Sequence, residues 1–158
     1  MPHFLVVRPL LLAIALLAPS AVTATETLTI EPSAPGWWIE PQPLFLGGPL
    51  PLAAAAGIGC AGFVAGPAPA VVIEYAPQAP MPIGFLEFRL GSRDPDVQPI
   101  VAVQMPNGAL ICGAGSGSSL RAGAFSGAYR VWAAARFPAN TPVEGVLEIS
   151  HIPIQQRR

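Results

Sequence analysis

Twenty prolines in 158 residues constrain this chain more than any other property it has. Proline has no amide hydrogen to donate, and its ring collides with the turn before it, so it ends a helix wherever it falls inside one. The prolines are spread along the sequence, and sixteen glycines accompany them. Long helices, bundles and coiled coils are excluded for most of the chain. Disorder is excluded for a different reason. Hydrophobic residues make up 52% of the chain and charged ones only 11%, so there is ample apolar surface to bury. The net charge is -1 and there is no lysine, so no basic surface is available for a phosphate backbone and nucleic acid is not an expected partner.

The N-terminus has the order of an export signal. Arg8 closes a short basic region, an apolar run follows from Leu10 to Ala18, and Val22 and Ala24 place small residues at a cleavage site. The run is shorter than the ~20 residues of a spanning helix. Residues 1–24 therefore read as a cleaved signal peptide, and the protein as periplasmic or secreted. In an oxidising compartment two cysteines, Cys60 and Cys112, favour a disulfide. A thiol nucleophile would need a basic partner, and only His151 remains after the signal; a closed zinc site would need a fourth ligand. Gly57-Ile58-Gly59-Cys60 loosely resembles a lipobox but lies far downstream of the signal's apolar core.

No charge occurs between Glu40 and Glu74. Prolines 41, 43, 49, 51, 67 and 69 punctuate this stretch, and its longest proline-free piece, Leu52 to Gly66, is too short to span a bilayer. No stable membrane span is expected once the signal is removed. Residues 25–57 read as a Pro-rich, partly extended arm ahead of a domain at 58–152, with a tail at 153–158. Within the arm, Trp37 and Trp38 form a large apolar load, read as a partner-contacting patch or as one ring docked on the domain's edge.

From residue 62 the pattern is that of strands. Val71–Tyr75 is short and β-branched, and in 85–90 Leu86, Phe88 and Leu90 alternate with Glu87 and Arg89, which are expected to face solvent. The run 99–105 meets Pro106-Asn107-Gly108, a turn signal because proline presets φ and Asn and Gly tolerate positive φ, so 99–112 is a hairpin candidate. Residues 113–119 read as a flexible Gly/Ser loop, and 127–133 and 143–149 as further strands. The expected fold is all-β: a jelly-roll-like β-sandwich of about seven to eight short strands.

These residues, taken in order, resemble a known family. Gly59, Cys60, Gly62, Phe63 and Val64 come first, then Val72–Tyr75, Ser92, and Pro106-Asn107-Gly108 four residues ahead of Cys112. Ser126, Gly127, Tyr129, Arg130, Val131 and Trp132 follow, and finally Leu147, Ile149 and Ser150. Residues 58–151 thereby resemble the bacterial pre-peptidase C-terminal domain and its stand-alone exported relatives. The resemblance implies a jelly-roll-like sandwich without a catalytic centre. The chain departs from the family where an aspartate usually precedes the hairpin strand (Gln98 here) and where acidic residues follow the second cysteine (Gly113, Ala114 and Gly115 here). Calcium needs six to eight oxygen ligands, and Asp94 and Asp96 alone are better read as shaping a turn. No metal or cofactor is expected.

Catalytic patterns fare no better. Ser116 lacks the flanking glycines of a nucleophile elbow, and its sole imidazole candidate, His151, reads as a solvated strand end. Glu74, Glu87, Glu144 and Glu148 read as solvent-facing strand residues, with Arg89, Arg121, Arg130 and Arg136 as cross-strand partners, and Trp132 as core. The expectation is a non-catalytic exported module binding or supporting a protein or glycan in the cell envelope. A small hydrolase, or a peptidase-associated accessory or inhibitor protein, is the alternative.

Overall fold

The computed structural model describes residues 25–57, 59–114 and 118–154. The signal segment, Ser116 and residues 155–158 of the tail lie outside the described residues. The chain forms two sheets packed face to face, the all-β sandwich expected from its strand pattern.

The first sheet is built around β10 (Gly127–Ala135). One side of β10 pairs antiparallel with β5 (Val71–Tyr75), and β5 in turn pairs parallel with β1 (Glu26–Ile30). The other side pairs with β7 (Pro99–Gln104), which continues into a hairpin with β8 (Leu110–Ala114). Two short strands, β3 (Leu50–Pro51) and β4 (Phe63–Val64), attach at the end of β10 through Ala135. The second sheet runs β2 (Gln42–Leu46), β11 (Val143–Pro153), β6 (Gly84–Ser92), β9 (Ser118–Gly123), all antiparallel.

The main core lies between the sheets. Ile73, Tyr75, Val101, Val103, Tyr129 and Val131 meet Leu86, Phe88, Leu90, Leu147 and Ile149 across it. A second cluster covers the outer face of the first sheet, where Leu52, Cys60 and Val64 pack on Ile100, Ala102, Trp132 and Ala134. This sheet is therefore buried on both faces, and its central strands read as near-continuous apolar runs instead of alternating. The second cluster also accounts for the charge-free stretch. The segment containing β3, the five-residue helix α1 (Leu52–Ala56) and β4 lies against apolar side chains, where an unpaired charge would lose its hydration. Trp132 is core here, and its indole N–H donates to the Pro67 carbonyl at 3.3 Å.

The boundary at 57/58 is corrected by the pairing. Residues 25–57 are not an arm leading into the domain. They supply β1 to one sheet and β2 to the other, and Ile30, Leu46 and Leu52 are buried. Proline is tolerated in them because these strands lie at sheet edges or are very short. The strand total also exceeds seven to eight: eleven strands are present among the described residues, β1–β3 coming from the supposed arm.

The 106–108 turn behaves as its residues require. Met105 N–H donates to Ala109 O, Gly108 N–H to Met105 O, and Ala109 N–H to the Asn107 side chain, with Gly108 at φ +83°. The Gly/Ser-rich segment after it differs from expectation. Ser118 is fully buried and opens β9; its hydroxyl donates to Gly113 O (2.6 Å) and accepts from Val101 N–H (2.9 Å). That one side chain ties the hairpin edge of the first sheet to the start of β9 in the second. Cys60 and Cys112 form a disulfide with Cα atoms 5.9 Å apart, pinning the covering segment to β8. Among the described residues no helix is long and apolar enough to cross a membrane.

Candidate binding site

The two adjacent tryptophans are separated by the strand geometry around them. Ile39 N–H donates to Ile149 O, His151 N–H donates to Trp37 O, and Trp38 bridges Ser150, so residues 37–39 extend along the edge of β11 beyond β2. Successive side chains of such a segment point to opposite faces. Trp37 turns inward and packs on the core, and Trp38 turns outward with 69% of its surface exposed. They do not form one patch.

Trp37 stacks on His151 with the ring planes 12° apart and lies 5.9 Å from Tyr75, centroid to centroid. His151 is 3% exposed, not the solvated strand end its position suggests, because the alternation of β11 points it into the sandwich behind Leu147 and Ile149. Its Nδ1 accepts from Gly36 N–H at 3.2 Å, so the neutral ring carries its proton on Nε2. That Nε2, the Trp37 indole nitrogen and the Tyr75 hydroxyl are buried without a hydrogen-bond partner among the described residues. Burial lowers the His151 pKa below its ordinary value, since the cation would lose its water. Burial also raises the Tyr75 pKa, an effect opposed by the nearby Trp37 indole, although neither atom reaches hydrogen-bond geometry.

Outside, β11, β6 and β9 present Ser150, Glu148 and Val146, then Glu87, Arg89 and Gly91, then Arg121 and Ser119, in register across the sheet. Glu87 departs from the solvent-facing reading. Only 6% of it is exposed, because Arg89 (2.7 Å) and Arg121 (3.0 Å) each take one of its carboxylate oxygens and cover it. The two arginine side chains are themselves more than half exposed. Each is therefore held at the sheet through one nitrogen, with N–H donors left facing water. Glu148 is exposed opposite Arg89. Two adjoining shallow hollows of about 270 and 360 Å³ share Arg89 and Glu148. The first is lined by Trp38, Pro41, Glu87 and Ser150, the second by Gly91, Ser119 and Val146. Together they form one open trough leading diagonally from the Trp38 ring across β11 and β6 to β9.

The remaining candidates are placed elsewhere. Glu74 and Glu144 are exposed, and Glu144 pairs with Arg93 at 2.8 Å; no local signal foretells a partner 51 residues away. Arg130 and Arg136 bond Gln104 and Gln98 instead of glutamates. Asp94 and Asp96 shape the turn after β6: the Asp94 side chain accepts from Asp96 N–H, and Ser92 Oγ accepts from Asp94 N–H. Comparison with protein-family models, with curated proteins and with solved structures finds no match to this chain.

Proposed function

We propose that this protein is an exported, non-catalytic binding module whose ligand-contacting surface is the outer face of the four-stranded sheet. The observation that carries the reading is Trp38: a large, exposed aromatic ring standing at one end of a polar trough, on a fold whose other two tryptophans are packed inward. Leaving such a ring in water is unfavourable, and exposed aromatics beside ordered polar groups are a common way to meet a partner. Export is supported by the disulfide, which fits an oxidising compartment, and by the signal-like segment at 1–24; the periplasm or the cell exterior is the proposed location. The non-catalytic part of the reading is supported by His151, whose ring is covered by Trp37 and whose Nδ1 is already engaged. The family resemblance of residues 58–151 runs the same way.

The test is co-sedimentation with isolated cell-envelope material. The wild-type protein is expected to be retained and Trp38→Ala released, with both variants melting at the same temperature because the removed ring is exposed. Equal retention of the two, or retention of neither, overturns the proposal.

A further inference from the structure

Resting on that binding reading, we infer that the trough takes a neutral oligosaccharide, laid across the strands with one sugar ring on Trp38. Three features of the surface select this class.

The first is charge. Arg89, Glu87 and Glu148 line the trough, and Arg121 beside it on β9 holds the second Glu87 oxygen, so the two carboxylates are balanced by two guanidinium groups across β11, β6 and β9. A face compensated in this way creates no strong field of one sign, so it neither concentrates an anion nor attracts a cation. It does present many donors and acceptors. Arg89 and Arg121 each use one N–H on Glu87 and keep others outward, and Glu148, Ser119 and Ser150 add acceptors and hydroxyls. An uncharged polyhydroxyl chain has matching groups.

The second is order. A flexible arginine loses rotamer freedom on binding, which weakens the contact it makes. Here the buried Glu87 carboxylate has already fixed both guanidinium groups against the sheet. The donors are thereby arranged before the ligand arrives.

The third is the distribution of apolar surface. A protein partner of standard size covers ~800 Å² with an apolar centre and a polar rim, and charged residues are depleted at that centre. The order is reversed here. Charged groups occupy the middle and the aromatic ring stands at the end. A single indole with polar groups to one side suits a sugar ring, whose C–H face packs on the aromatic surface while its hydroxyls point sideways. From Trp38 to β9 the trough crosses three inter-strand intervals, ~14 Å, which is longer than one sugar ring.

The test has two arms. In the first, full-length processed protein is titrated by tryptophan fluorescence with cellohexaose, maltohexaose, chitohexaose and mannohexaose, and with a polygalacturonate hexamer as the anionic control. At least one neutral hexamer is expected to bind saturably and independently of salt. Trp38→Ala is expected to weaken it about tenfold, the loss of one aromatic platform, and Glu148→Ala to weaken it severalfold. Absence of binding to every neutral hexamer, preference for the anionic one, or indifference to Trp38→Ala overturns the inference. In the second arm, envelope material is treated with protease or with periodate before co-sedimentation. Retention is expected to survive protease and to be lost after periodate, which cleaves vicinal diols. Retention that depends on Trp38 but is lost after protease and kept after periodate leaves the binding module standing and removes the glycan. Retention that does not depend on Trp38 removes both.

Discussion

His151 and Tyr129 set opposite limits on stability with pH. The His151 pKa is lowered below its unfolded value of 6.5, so the fold favours the neutral ring. That stability is present in full above about pH 6.5 and is lost as pH falls through the folded value. Protonation would also put a proton on the nitrogen that accepts from Gly36 N–H, turning an acceptor into a second donor. Tyr129 works in the other direction. Its hydroxyl accepts from Phe125 N–H and lies 2.7 Å from the carbonyls of Gly123 and Phe125, and burial pushes its pKa from 10.0 up to about 12. Stability from this group is intact below pH 10 and is lost as pH rises toward 12. Melting temperatures measured across pH should fall at both ends. His151→Asn, which keeps an acceptor near Gly36 without titrating, should flatten the acid limb. Tyr129→Phe should reduce the alkaline limb, leaving the share of Tyr75, while costing roughly 1–3 kcal/mol at neutral pH, since the Gly123 and Phe125 carbonyls lose the hydroxyl donor and Phe125 N–H keeps only its bond to Gly123 O.

At the scale of elements, β2 decides whether the proline-rich N-terminal stretch belongs to the fold. Leu46 is fully buried, and its side chain fills the space where a Cβ on Gly145 would stand. That close approach is what glycine at 145 permits. Leu46→Ala should therefore cost about 2–5 kcal/mol, as for a core leucine, measured as the shift in urea midpoint at unchanged slope. A mobile arm would give a change near zero. The hairpin of β7 and β8 shows the opposite degree of legibility. Its strands and its turn are local, carried by Asn107 and Gly108 acting within a few residues. The parallel pairing of β1 with β5 joins Glu26 to Val71 and leaves no mark on either segment alone. Burial of Glu87 is equally non-local, because Arg121 reaches it from another strand, 34 residues on.

For the whole molecule, the disulfide closes the longest covalent constraint. Cys60 and Cys112 are 52 residues apart, so in the chain-entropy account the bond removes ~4 kcal/mol of freedom from the unfolded state. Domains of this kind keep only about 5–15 kcal/mol in all. Cys60→Ala with Cys112→Ala should therefore lower unfolding stability by a large share of its total, measured against the oxidised protein in urea. The loss should be felt first where the covering segment of β3, α1 and β4 lies on Trp132, visible as faster hydrogen exchange in residues 50–64.

Read along the chain, proline and glycine excluded helices, period-two alternation placed β6, short apolar and β-branched runs placed β5, β7 and β10, and Asn107-Gly108 placed a turn. Each of these depends on neighbours within a few residues, so composition and spacing carry it. The sequence left Trp37 and Trp38 open between a shared contact patch and one docked ring, and a strand edge beside β11 set them apart, one stacked on His151 and one facing water. Which face a side chain takes depends on what its segment pairs with, and that partner lies more than a hundred residues away. The same holds for the buried Glu87 and for the trough beside Trp38. They exist only where separate strands meet, and the free energy that selects their register comes from a core that no single segment contains.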